Sequence, residues 1–182
     1  MSDLATLPGT LAYVWDAMAR GVTDRGHPCR FGVLATVGDG GAARMVVLRA
    51  VDAAAGSVEV HSDLLAGKVA ELRAESRATL LFWLPEAQVQ IRCKARFDIL
   101  EGAAVETRWQ AIPDGPRRAY GGTPAPGAPL DRPERHDATP RRDRFAVLLG
   151  QVQQIETLHL GQPHRRAVFT RDDGFAGGWI AP

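Results

Sequence analysis

The first clear periodicity lies in "GTLAYVWDAMARGVTD", where Leu11, Val14, Trp15 and Met18 recur at helical spacing and Gly21 offers a stop. A helix over 8–21 is predicted, its apolar stripe serving as ordinary core. From Arg30 the period shortens to two. "RFGVLATVG" reads as a strand running into the turn "GDGGA", "ARMVVLRAV" as the next strand, "DAAAG" as a second turn and "SVEVHS" as a third, alternating strand. Three short strands joined by tight turns predict an antiparallel meander, the opening of a sandwich or barrel.

Further on, "GKVAELRAES" reads as a helix with Val69 and Leu72 on one face and Ser62 or Asp63 near its start. "RATLLFWLP" is a buried strand stopped by Pro85, and "AQVQIRCKARFDIL" a long strand alternating at Val89, Ile91, Cys93 and Ala95. "EGAAVETRWQAI" resumes helical character. The stretch 113–140 holds Pro113, Pro116, Pro124, Pro126, Pro129, Pro133 and Pro140 around Gly121 and Gly122. Connections this long are usually functional or disordered. It reads either as a partly ordered lid, favoured by Tyr120 and the basic pair Arg117 and Arg118, or as a solvated linker. "FAVLLGQVQQIETLHL", "RRAVFTR" and "FAGGWIAP" are three more strand candidates. Six or seven strands with few helices predict a mainly β fold, an antiparallel barrel with peripheral helices, because closure removes sheet edges.

The 182 residues suit one domain over 1–182, and a 45% hydrophobic and 24% charged composition is globular. A net charge of +1 gives no global reason to expect a nucleic acid or a membrane as partner. The basic clusters "PRRAYGG" and "TPRRDRF" are short and read as solvated loop residues. The N-terminus has no signal-peptide pattern and no apolar run is long enough to cross a bilayer, so a soluble, cytoplasmic chain is expected. Cys29 and Cys93 lie far apart and read as reduced thiols, and no His/Cys cluster has metal-ligand spacing.

Catalytic motifs are missing. There is no G-x-S-x-G, no P-loop and no G-x-G-x-x-G, and His27, His61, His136, His159 and His164 form no paired motif. An enzyme of this composition would borrow its reactivity from a bound cofactor. Arg44 and Arg49 bracket the apolar "MVVL", an expensive placement unless something anionic or hydrogen-bonding meets them. A helix opening at Lys68, a hydroxyl at Ser62 and a neighbouring arginine would together seat a phosphate. On spacing alone, a solvated lysine with rim arginines is the competing reading.

The order of four elements resembles the pyridoxamine 5'-phosphate oxidase superfamily, the FMN-binding split β-barrels. These are an Arg-x-Val-x-Leu-Arg strand (44–49), the pair His61 and Ser62 closing the next strand, Lys68 opening a helix, and a glutamine on the strand "VQIRCKA". The likeness covers 31–100 and, more loosely, the tail from Phe145. It implies an antiparallel Greek-key split barrel binding FMN. Cofactor contacts would come from Arg44, Met45, Val46, Val47, Leu48, Arg49, His61, Ser62, Gly67, Lys68 and Arg166, with Gln90 or, less favoured, Gln88 reaching the flavin across a homodimer interface. Arg49 would be the catalytic residue at the reactive edge. The resemblance implies an oxidoreductase of unassigned substrate or, alternatively, a non-catalytic module, since relatives of this fold also hold haem or deazaflavin. Leu65, Ala66 and Gly67 replace the family's Ser-Arg pair, Leu158 replaces a tryptophan, and the ending "GGWIAP" lacks the family's arginine. These departures argue against specific oxidation of a pyridoxine phosphate.

Overall fold

Side-chain alternation decides the architecture. In β5 (Val89–Leu100), Val89, Ile91, Cys93, Ala95 and Phe97 are buried while Lys94, Arg96 and Asp98 are exposed, so one face of the strand is core and the other is surface. The computed structural model of the protein describes residues 4–38 and 40–182; Met1, Ser2, Asp3 and Asp39, the last within the expected "GDGGA" turn, lie outside the described residues.

Seven further strands share this logic: β1 (Phe31–Gly38), β2 (Gly40–Asp52), β3 (Ser57–Asp63), β4 (Arg77–Leu84), β6 (Phe145–His159), β7 (Arg165–Thr170) and β8 (Gly178–Ile180). The antiparallel order β3-β2-β1-β4-β5-β6 closes into a six-stranded barrel because β3 also pairs with β6. The fourth strand lies beside the first, which is the Greek-key order. Strands β7 and β8 continue outward from β6. The described residues thus hold eight strands where six or seven were expected.

Helix α1 (Leu7–Thr23) opens on the Thr6 side chain, which accepts from the Gly9 amide at 3.2 Å, and buries Thr10, Val14, Ala17, Met18 and Gly21. Met18 reaches the inward-facing Cys93, 4.0 Å from sulfur to sulfur, so α1 shares the barrel's core. Both cysteines are free and buried. Gly21 does not stop the helix, as the spacing suggested. A Cβ there would lie 2.5 Å from the Cys29 carbonyl carbon, so the glycine permits close main-chain approach inside the helix. Helix α2 (Gly67–Ala74) follows β3, with Val69 and Leu72 in the core. Neither Ser62 nor Asp63 caps it; Ala66 holds the cap position with no side-chain bond, and Asp63 is engaged elsewhere.

The predicted helical stretch after β5 is realised as a 3-10 turn (Gly102–Val105) and α3 (Glu106–Gln110), followed by α4 (Asp114–Arg117). Val105, Tyr120, Phe145 and Val147 form a second small core, with Leu100, Trp109 and Ile112 packed against it. This core pins 113–140 to the outside of β3 and β6, aided by a bridge between Thr123 and Asp137. No helix of the described residues is long and apolar enough to cross a membrane.

Gly21→Ala is expected to destabilise the protein by about 1–3 kcal/mol, because the new methyl meets main chain that cannot swing away. The urea midpoint should fall with an unchanged slope. An unshifted midpoint would show that α1 does not approach the 28–30 turn this closely.

Candidate functional site

Strands β2 and β3 are paired from Asp52 opposite Ser57 to Leu48 opposite Val60, and there they part. Residues 45–47 keep β1 on one side, with Met45 opposite Val33 and Val47 opposite Phe31, and have no strand on the other. His61, Ser62 and Asp63 pair with β6 alone. Arg49 lies at the register shift between Leu48 and Ala50, a bulge of the kind that re-aims a side chain at the edge of a ladder. The split is a cleft of about 300 Å³ lined by both strands, by Ala66 and Lys68 where α2 begins, and by Ala119, Tyr120 and Pro126. Val46 lines it although its side chain is core, only 6% exposed, which leaves its main chain as the contributor. Main-chain groups of 45–47 that point away from β1 need partners there.

The charges in the cleft are sparse and specific. Lys68 makes no ion pair among the described residues; burial holds its pKa below the usual lysine value, and Arg44 adds to that. His61 stands edge-on to Phe145 at 4.9 Å between ring centres, and its Nδ1 is buried without a partner. Desolvation, reinforced by Arg49, lowers its pKa to about 4, so it is neutral at pH 7. Tyr120 has its pKa raised by burial, against which the adjacent Arg49 guanidinium acts. The Nε of Arg49 is itself buried and unpartnered. The lining acid Asp63 is satisfied by Arg144 and two main-chain amides. Two cations, two neutral polar tips and unpaired main chain remain, which suit a ligand that is anionic at one end and a polar, planar ring at the other.

Asp63 holds the lid in place. One carboxylate oxygen accepts from Arg144, with Nη2 at 2.6 Å, and from the Leu65 amide at 2.8 Å, while the other accepts from the Gly121 amide at 2.7 Å. One buried acid thus ties the end of β3 to the turn before α2, to the lid and to the turn before β6.

No protein-family model matches the sequence, and a search of the curated proteins finds no relative. Solved structures do match. A pyridoxamine 5'-phosphate oxidase-related, FMN-binding protein from Nostoc punctiforme PCC 73102 superposes with a TM-score of 0.75 at 22% identity, covering 99% of this chain and 100% of that one. PhzG from Burkholderia lata 383, in complex with tetrahydrophenazine-1-carboxylic acid, gives 0.73 at 20% identity over 96% and 92%. A haem-binding protein from Mycobacterium smegmatis gives 0.52 at 17% identity, covering 86% of this chain and 58% of that one.

The chain has the split-barrel fold.

Within the split barrel, Met45, Val46, Val47, Arg49, His61, Ser62 and Lys68 meet at one cleft. Ser62 is buried and its hydroxyl donates to the Asp63 carbonyl at 3.1 Å. Leu48, 1% exposed, turns its side chain into the core instead. Arg44 also turns from the cleft: it donates to the Thr36 hydroxyl and to Glu71 Oε2, the latter at 2.6 Å. Gly67 sits between two lining residues, and a Cβ there would meet only Glu71 Oε1 at 3.8 Å. Gln90 and Arg166 lie elsewhere on the same chain. Gln90 is opposite Leu158, and Leu158 opposite Arg166, one row across β5, β6 and β7. Arg166 donates to Glu156 Oε1 at 3.1 and 2.8 Å, and Arg92 binds the same carboxylate. Gln88 is in a left-handed turn, φ 51°, outside the ladder.

Sequence reasoning did not find Arg144, Ala119 or Ala66 as part of this site, and it placed Asp63 at the helix rather than under the lid. Nothing local marks them. An acid that ends a strand and an arginine eighty-one positions later become partners only when β3 and β6 pair.

Asp63→Asn should cost about 3 kcal/mol or more, because it strands a buried guanidinium, and should release the lid. Urea unfolding will read the first effect and protease susceptibility of 113–140 the second. For His61 the unfolded chain takes up its proton near pH 6.5 and the folded chain only near 4. Its contribution is therefore complete above about pH 6.5 and lost as pH falls toward 4. His61→Gln should flatten that part of the stability-versus-pH curve, and an unchanged slope would place the titrating group elsewhere.

Proposed function

We propose that the protein is a cytoplasmic, homodimeric flavoprotein oxidoreductase that holds FMN in the cleft between β2 and β3 and acts on a small molecule. The observation that carries this reading is Lys68, free of any ion pair among the described residues, at the start of α2 beside strand edges that have lost their partners. Lys68 and the first amides of α2 would hold the phosphate, and the main chain of 45–47 would meet the polar edge of the ring. Bound FMN would supply hydride and electron transfer. Arg49 would place a cation where negative charge accumulates on reduction. Among the proteins of this fold, the Nostoc protein is described as FMN-binding and PhzG holds a small organic acid.

Two features support a second copy as partner. The cleft is at the lower end of ligand-sized cavities, roughly 300–1,000 Å³, so one chain would leave much of FMN uncovered. The outer wall beside it is apolar: Phe31, Met45 and Trp83 are 51%, 61% and 45% exposed, with Val33 and Leu81 between them, and Met45 belongs to the cleft as well. A two-fold contact over this wall could bring Gln90 and Arg166 of the partner to the flavin.

The purified protein should carry or take up FMN, with flavin absorbance and a dimer mass by light scattering. Lys68→Ala should weaken FMN binding about tenfold or more, the worth of a charge-assisted contact. Arg49→Ala should keep FMN bound but slow its reduction by NADPH, NADH or substrate. Flavin that binds and is reduced by no donor would favour the non-catalytic module, and a protein with no affinity for FMN would sink the proposal.

A further inference from the structure

A second cavity, larger than the flavin cleft, lies away from it and shares no residue with it. About 540 Å³ in volume, it is a trough across β1, β4, β5, β6 and β7, ending at the turn Arg171–Asp173. Ala35 and Val37 set apolar side chains along it, while Ala78 and Ala95, directly opposite each other in the ladder, turn theirs into the core and offer only main chain. Arg77, Lys94 and Arg96 rise around this apolar floor, and Thr79, Gln154 and Thr170 add hydrogen-bonding groups.

Many arginines are matched, as in Arg108 with Glu59, Arg142 with Glu106 and Arg166 with Glu156, while others such as Arg25, Arg118 and Arg132 have no ion pair among the described residues and line no cavity described above. Lys94 and Arg96 have no ion pair among the described residues. Arg77 pairs only with its near neighbour Glu75, in an exposed bridge worth little. Asp172 is the one acid in the lining, so positive charge remains in surplus. The chain has just two lysines, and each lines one of the two cavities: Lys68 the cleft and Lys94 the trough.

We propose that this trough is a second binding site, for a small organic anion with a flat apolar body. The acidic group is met by Lys94 and Arg96, the body lies over Ala35 and Val37, and Gln154 and Thr170 orient its polar substituents. A second copy of the chain fits the trough less well. A two-fold contact sets a patch against itself or near itself, and surplus cations would then face like charge.

The test uses the full-length protein with FMN in excess, so that the flavin cleft is filled, and 8-anilinonaphthalene-1-sulfonate as the probe in calorimetric titration. Saturable binding of one probe per chain is expected, weakened about tenfold or more by Lys94→Glu, with FMN affinity and the urea midpoint unchanged. Lys94→Gln, which removes charge without reversing it, should give a smaller loss in the same direction. Absence of saturable binding, or equal binding by wild type and Lys94→Glu, overturns the proposal, since a probe held by the Phe31, Met45 and Trp83 wall would ignore residue 94. So does a dimer that Lys94→Glu splits to monomers, which would assign the trough to a second copy. Because FMN affinity is read separately, failure here leaves the flavin reading standing, and the reverse also holds.

Discussion

Where β2 and β3 separate beyond Leu48, the main-chain groups of 45–47 that point away from β1 have no strand to pair with. Buried amides and carbonyls do not stay unpaired cheaply, so a sheet that opens must close again or present those groups to something else. The bulge at Arg49 starts the opening, α2 begins beside it, and the lid covers its outer side. Every feature of the proposed flavin site follows from that one divergence: unpaired main chain that would meet a ring edge, a helix start that would meet a phosphate, and a cation re-aimed by the bulge toward where a reacting edge would lie.

Keeping the gap open requires an anchor, and Asp63 provides it. The carboxylate is removed from solvent but accepts from Arg144 and from the amides of Leu65 and Gly121, which compensates its desolvation. The lid is further fixed by aromatic edges, Tyr120 on Phe145 at 5.0 Å and Trp109 on Phe145 at 5.4 Å. Arg117, part of the basic pair that suggested a lid, lies over the Trp109 ring and bonds main-chain carbonyls, so it serves the lid's own structure. Lys68 at the cleft and Lys94 and Arg96 at the trough combine two properties: they have no ion pair among the described residues, and they line a cavity.

Arg44 and Arg49, which end the apolar run of β2, turn out to solve the same problem in different ways. Arg44 is satisfied internally, by Thr36 and Glu71, and joins β2 to α2. Arg49 faces the split with its Nε unpartnered. Their positions on the strand were plain from the sequence, but their opposite fates depend on the bulge at Arg49. Similarly, Gly21 reads locally as a helix stop, whereas its use is the close approach of Cys29 from outside the helix.

The sequence alone determined the strands, the first helix, the helix at Lys68 and the cluster of residues around 44–49, 61–62 and 68, because periodicity of two or 3.6 and short-range order are written in neighbouring residues. Tertiary structure decided that β3 closes on β6, that Asp63 meets Arg144, that Tyr120 and Pro126 reach the cleft, and that Arg77, Lys94 and Arg96 surround a common trough. Those contacts join segments tens of residues apart, and no local pattern records them: a side chain's spacing tells which face it takes, while its partner is fixed only when distant strands find their register.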